Sequence, residues 1–241
     1  MKRVFISLIV LTGVFIFTDC KKPDPPEPVE PIVVDKTSPK ITLPSTITLT
    51  IELGDEAEAL KGVKATDDID GDITKNIKIL TNLDVVGDVE LVYVVSDAAG
   101  NKDTARRDAR ISCNALSGEY RLKIYDVTQT PDTSQIGYGV TIARHGSDPL
   151  QLNVTNLHMN SLDFYFDPDP DNDYRMTLRP GKKGHDAWGT GDGDYKGYDF
   201  TGYLIYKKIA AGKYQVVSFS YELSATGKPT TKYETFSCVR E

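Results

Sequence analysis

From Leu122 to Val239 the chain places apolar residues two apart, on one side only, in one short run after another. Leu122/Ile124, Val140/Ile142, Leu150/Leu152/Val154, Leu162/Phe164/Phe166, Met176/Leu178, Phe200/Gly202/Leu204 and Val217/Phe219/Tyr221/Leu223 each make one apolar face. Period-two spacing is that of a strand with one face on a core and the other in water. With Tyr233 to Val239 these runs make about eight strands, the pattern of an antiparallel meander. So many one-sided strands are most stable when the sheet closes on itself, because closure removes unpaired edges. An up-and-down barrel or a strongly curled sandwich is therefore expected over residues 115–241. Twelve of the 13 tyrosines and the single tryptophan lie beyond residue 116, and that shift in composition marks the unit.

Residues 39–112 read differently. Ile47 to Leu53, Val63 to Ala65, Ile77 to Leu80, Val89 to Ser96 and Thr104 to Ile111 are β-type runs separated by turn residues. Val89 to Val95 is almost continuously apolar, as expected of a central strand covered on both faces. Short strands at this spacing suggest a β-sandwich. Gly54 to Gly62 has the only helix-forming stretch here, at most two turns long.

Three motifs in this segment carry a resemblance. Ala65-Thr66-Asp67, Asp70-Gly71-Asp72-Ile73-Thr74 and Tyr93-Val94-Val95-Ser96-Asp97-Ala98-Ala99-Gly100-Asn101 occur in the order seen in bacterial immunoglobulin-like (Ig-like) domains of the hyaline-repeat and crystal-toxin-associated type. The resemblance implies a seven-stranded sandwich serving as a spacer or adhesion module in surface proteins, without catalysis. Gly118-Glu119-Tyr120 resembles, more loosely, the G-x-W of lipocalins, which would make the second half a lipocalin-like or calycin-like barrel. The expected fold class is thus all-β, an Ig-like sandwich followed by an eight-stranded barrel.

The N-terminus gives the address. Lys2 and Arg3 precede an apolar run from Val4 to Phe17, and about 14 apolar residues fall short of the roughly 20 that span a bilayer. Residues 1–19 read as a signal peptide. Cys20, at the end of that run, resembles the lipobox cysteine of bacterial lipoproteins of the Bacteroidota type, whose thiol is acylated and which becomes the mature N-terminus. Asp19 departs from the small residue usual before it, and an ordinary secreted protein is the other reading. Residues 20–38 then carry Pro23, Pro25, Pro26, Pro28 and Pro31 among acidic residues. Proline-rich chain favours extended geometry at about 3.1 Å per residue, so this tether reaches on the order of 50 Å.

Candidate sites follow from residue chemistry. Asp67, Asp70, Asp72 and Asp97 gather at one end of a sandwich if the strands ending at Ala65 and Ser96 are neighbours. A hard cation such as calcium, bound by six to eight oxygens, would relieve their repulsion. The alternative is that they cap turns, with Gly71 and Gly100 supplying positive φ. Outside the cytoplasm Cys113 and Cys238, at the first and last strands of a closed meander, are placed for a disulfide, and two buried thiols are the alternative. Trp188, Tyr195 and Tyr198 stand among glycines and carboxylates, a mixture suited to stacking on a sugar ring, or else to strand bulges and barrel corners. Asp103-Thr104-Ala105 resembles the O-glycosylation acceptor of Bacteroidota, with Thr104 the modified residue. Asp167 to Asp173 begins like a calcium-binding EF-hand, but Leu178 stands where a bidentate Glu is required.

The net charge of -7, with 28 Lys+Arg against 35 Asp+Glu and no basic run, excludes a nucleic-acid footprint. No zincin, nucleophile-elbow, phosphate-loop or dinucleotide motif is present, and no enzyme is expected. The expectation is an outer-membrane lipoprotein of the cell envelope. Its Ig-like spacer presents a C-terminal β-domain to a glycan or protein partner. A lipocalin-like carrier of a small apolar ligand is the alternative.

Overall fold

A computed structural model describes residues 34–45, 48–127, 136–157, 163–179 and 199–241. Cys20, Trp188, Tyr195 and Tyr198 lie outside the described residues. Asp35–Glu241 is one compact unit.

Among the described residues, fifteen strands account for nearly all regular structure: β1 (Lys40–Thr42), β2 (Leu49–Glu52), β3 (Lys64–Asp67), β4 (Gly71–Asp72), β5 (Lys78–Ile79), β6 (Gly87–Ser96), β7 (Lys102–Ser112), β8 (Gly118–Asp126), β9 (Ile136–Arg144), β10 (Leu152–Thr155), β11 (Asp163–Pro168), β12 (Arg175–Leu178), β13 (Asp199–Ala210), β14 (Lys213–Ser224) and β15 (Thr231–Arg240). One short helix, α1 (Glu56–Leu60), starts where the Asp55 carboxylate accepts a hydrogen bond from the Glu58 amide at 3.0 Å, which satisfies one of the free donors at a helix start.

The first seven strands form two open sheets. One has the order β1-β3-β4 and the other β2-β7-β6-β5, with β2 running parallel to β7. The long β6–β7 hairpin is the frame of the second sheet, and its inward residues Leu91, Tyr93, Val95, Ala109 and Ile111 are 0–2% exposed. Burying a hydroxyl and a guanidinium there requires partners. Tyr93 donates its hydroxyl to the carbonyl of Ala59 in α1, and Arg107 donates to both the Tyr93 oxygen and the Ala59 carbonyl.

Strands β8–β15 close into an eight-stranded antiparallel barrel in which the first strand, β8, pairs with the last, β15, and β9 with β10. The expected closure is therefore present, and an eight-stranded barrel is just wide enough for side chains to fill it. Leu152, Val154, Phe164, Met176, Leu204 and Phe219 are 0–1% exposed. Walls so fully covered leave no water-sized space beside them. The rings of Phe164 and Phe200 lie 4.9 Å apart, and those of Phe166 and Phe219 5.9 Å apart in an edge-to-face pair.

Two expectations are corrected. Strict alternation places Val217 on the same face as Phe219, but Ile205 pairs with Ser218 while Tyr206 pairs with Val216. The unpaired Val217 is a β-bulge, and upstream of it the buried residue is Val216. The expected Cys113–Cys238 disulfide is not formed, and both residues are buried free thiols. Cys113 lies in the turn ahead of β8, where its amide donates to the Pro149 carbonyl. The residue paired with Cys238 across the seam is Leu122, and the Cys238 thiol donates to the Val216 carbonyl.

Candidate functional site

Side chains whose chemistry exceeds packing gather at the join between the open sheets and the barrel, at the opposite end of the barrel, and in the aspartate turns.

The join is polar and aromatic. In the segment before β6, Asp84 accepts a 2.5 Å hydrogen bond from the Tyr214 hydroxyl and an ion pair from Lys208, both on the barrel. The Val86 amide donates to the Tyr206 hydroxyl at 2.8 Å, and the Asn82 side-chain amide donates to the Tyr174 hydroxyl. Tyr206 and Tyr214 are each 1% exposed, so their rings are buried while their hydroxyls bind the segment before β6. Gly54, at φ +71°, lies directly against the Tyr214 hydroxyl, and any side chain there would collide with it. Burial acts to raise the Asp84 pKa, but the Tyr214 and Lys208 hydrogen bonds and the Lys208 charge outweigh it and hold the carboxyl below its ordinary range. Burial, then the Asp84 carboxylate, push the Tyr214 phenol up.

At this end the strand connections are short or packed. Asp169, between β11 and β12, accepts from Arg175, Thr177, Asn172 and the Asp171 amide. Burial opposes its ionisation, and these hydrogen bonds, led by Arg175, bring its pKa far below the usual carboxylate value. The loop that begins like an EF-hand is a turn built around Asp169.

At the opposite end leave the connections β8–β9, β10–β11, β12–β13 and β14–β15, the longest being residues 179–198. The three aromatic candidates Trp188, Tyr195 and Tyr198 fall in that connection, so their position is outside the described residues. At the same end of the barrel, strands β9, β14 and β15 carry further aromatics. The Tyr221 and Tyr233 rings stack at 5.5 Å with 22° between planes, and the Tyr138 and Tyr221 hydroxyls lie 3.4 Å apart. The sequence reading did not single out these tyrosines. Their shared signal was a tyrosine at corresponding ends of three strands, readable only once the register is known.

The four expected aspartates separate into two groups. Asp67 caps the amides of Ile69 and Asp70, and Asp72 caps Thr74, which lowers the Asp72 pKa through hydrogen bonds from Thr74. Asp70 and Asp97 come together with a third carboxylate, Asp35, each offering an oxygen within 4.8 Å of the others. Asp35 was read as part of the tether, so the sequence reading missed it. Asp97, 7% exposed, accepts from the side chain and amide of Asn101. Burial acts against its charge, and the Asn101, Gly100 and Ala99 donors overcome that and lower its pKa. Asp70 accepts from the Ala98 amide and Asp35 from the Thr37 amide. Each carboxylate therefore has a turn-capping role. Thr104, the glycosylation candidate, is exposed on β7 opposite Val94.

Residues 41–111 match the family model of the bacterial surface protein, Ig-like domain. That match spans most of the open-sheet part, the segment in which the Ig-like motifs occur. No curated protein matches the chain. Among solved structures, the chain is similar to the lipoprotein BT2262 from Bacteroides thetaiotaomicron, with 16% identity over 84% of this chain and 100% of that one, at a TM-score of 0.30. It is also similar, with 17% identity over 47% of this chain and 31% of that one and a TM-score of 0.26, to a structure from Clostridium perfringens ZmpB containing CBM51-2 in complex with GlcNAc and INT domains. The open sheets and the barrel meet through the segment before β6 and the barrel residues Tyr206, Lys208 and Tyr214.

Proposed function

We propose that the chain is a lipid-anchored, non-catalytic protein of the outer membrane, whose Ig-like module spaces the barrel from the lipid so that its far end meets a glycan or protein partner. Acyl groups on Cys20 would supply the anchor, since each buried methylene contributes about 0.8 kcal/mol and two or three chains hold stably where one does not. The Pro-rich residues 20–38 would be the tether and residues 39–112 a seven-stranded sandwich, a reading that the three- and four-stranded sheets support.

The observation that carries this reading is the polarity of the barrel. One end is held to the Ig-like module through Asp84, Val86, Tyr206 and Tyr214. The longest strand connection leaves from the other, together with the Tyr138, Tyr221 and Tyr233 cluster. Long connections on a rigid scaffold are where binding residues concentrate.

The alternative, a lipocalin-like carrier, requires an apolar cavity, and Leu152, Phe164, Leu204 and Phe219 are packed against neighbours instead. Native mass spectrometry of the protein purified from its own membrane separates the two. Surface binding predicts the mass of the acylated polypeptide alone. A stoichiometric apolar molecule released from the barrel would establish the carrier.

A further inference from the structure

We infer that the Ig-like module carries a binding site of its own, a lysine-lined groove for an acidic polysaccharide, separate from the far end of the barrel. The groove, of about 490 Å³, is bounded by Lys75, Asn76, Lys78, Val94, Ser96 and Lys102. That volume lies within the roughly 300–1,000 Å³ of small-ligand sites.

The sheet register explains how the residues meet. Lys78 of β5 pairs with Val94 of β6, and Val94 with Thr104 of β7, so one row across the outer face reads lysine, valine, threonine. In the row beside it Ser96 pairs with Lys102. Lys75 and Asn76 come from the 3₁₀ turn Thr74–Asn76 that leads into β5. Three exposed ammonium groups thus surround a half-buried valine, with a hydroxyl and an amide between them.

The charge distribution on this face is uneven. Towards the start of β6, the basic residues have acidic partners: Arg106 pairs with Glu90 and Arg110 with Asp88. Among the described residues, no ion pair involves Lys75, Lys78 or Lys102. Asp72 feels the Lys75 charge, but its carboxylate is bound to Thr74. In a chain of net charge -7, three unneutralised lysines on one concave surface create a local positive field against the general one.

That combination fits a polymer of uronic or sulfated sugars. The acid groups would meet the lysines, ring C–H faces would lie on Val94, and ring hydroxyls would meet Asn76 and Ser96. A flat anionic membrane fits less well, because the groove is concave and the rest of the protein is repelled.

The test uses the full chain with polygalacturonate, dextran sulfate and neutral dextran as probes, in 50 mM and 500 mM salt. The site predicts binding to at least one acidic polymer and none to dextran, weakened at least tenfold at high salt because screening shortens the reach of exposed charges. Combined Lys75→Ala, Lys78→Ala and Lys102→Ala substitution is expected to weaken it at least tenfold with the melting temperature unchanged. Lys123→Ala, Lys207→Ala and Lys213→Ala on the barrel should leave it intact. The polygalacturonate and dextran sulfate arms distinguish carboxylate from sulfate recognition. Wild-type protein that binds neither, a triple variant that binds as wild type does, or equal binding of single-stranded DNA would overturn the inference. Partner binding at the far end of the barrel would survive the triple substitution, so the two sites fail separately.

Discussion

The Tyr214 hydroxyl donates to the Asp84 carboxylate across the join, 130 residues away in sequence, with Lys208 on the same carboxylate. A long connection this far apart in the chain is entropically costly to close, and a charge-assisted hydrogen bond in a one-quarter-exposed setting offsets part of that cost. Tyr214→Phe removes the bond and keeps the ring. The expected loss is about 1.5–3 kcal/mol, the range for a hydrogen bond to a charged group, read as a lower urea midpoint. Gly54→Ala should destabilise as well, through collision with the same hydroxyl.

Acid should loosen the join and the Asp169 turn together. Both carboxyl groups have folded-state pKa values below the ordinary one. Such groups stabilise the fold at pH above their unfolded value, and that contribution is lost as pH falls through the folded value. Melting temperature should therefore be flat from neutral pH to about 5 and fall below about 4. In Asp84→Asn the acid-side fall should be shallower. An identical pH profile in that variant would remove Asp84 from the account.

The two thiols should be silent in the native state. Burial raises both Cys113 and Cys238 to about 12, where almost no thiolate exists at pH 8. A disulfide-exchange reagent should label neither until the protein unfolds, and then both. Failure to label after unfolding without reductant would restore the disulfide expected from their positions in sequence.

Acylation at Cys20 predicts that a clickable fatty acid labels the protein in cells and that Cys20→Ser abolishes labelling and releases the chain from membranes. Labelling that persists in the variant would place the lipid elsewhere.

Period two made the barrel legible, since Leu122, Phe164 and Phe219 each sit on an inward face. The bulge at Val217 was not legible, because one extra residue leaves the composition of a strand unchanged while exchanging its faces. The Asp70–Asp97 neighbourhood followed from the motif that carries the Ig-like resemblance. Asp35 did not, because a residue beside a proline-rich stretch reads as tether until the fold brings it against those turns. The lysine groove was equally invisible: Lys75, Lys78 and Lys102 meet only through the β5–β6–β7 register and a 3₁₀ turn.

Recognition at the far end of the barrel is tested most directly by a glycan array probed with the full chain and with its Trp188→Ala, Tyr198→Ala double variant. The account predicts that wild type is retained on a subset of neutral glycans and that the variant, folded to the same melting temperature, is lost from them. Retention unchanged by the double substitution, or no retention on any glycan together with no partner protein captured from the cell surface, would contradict it.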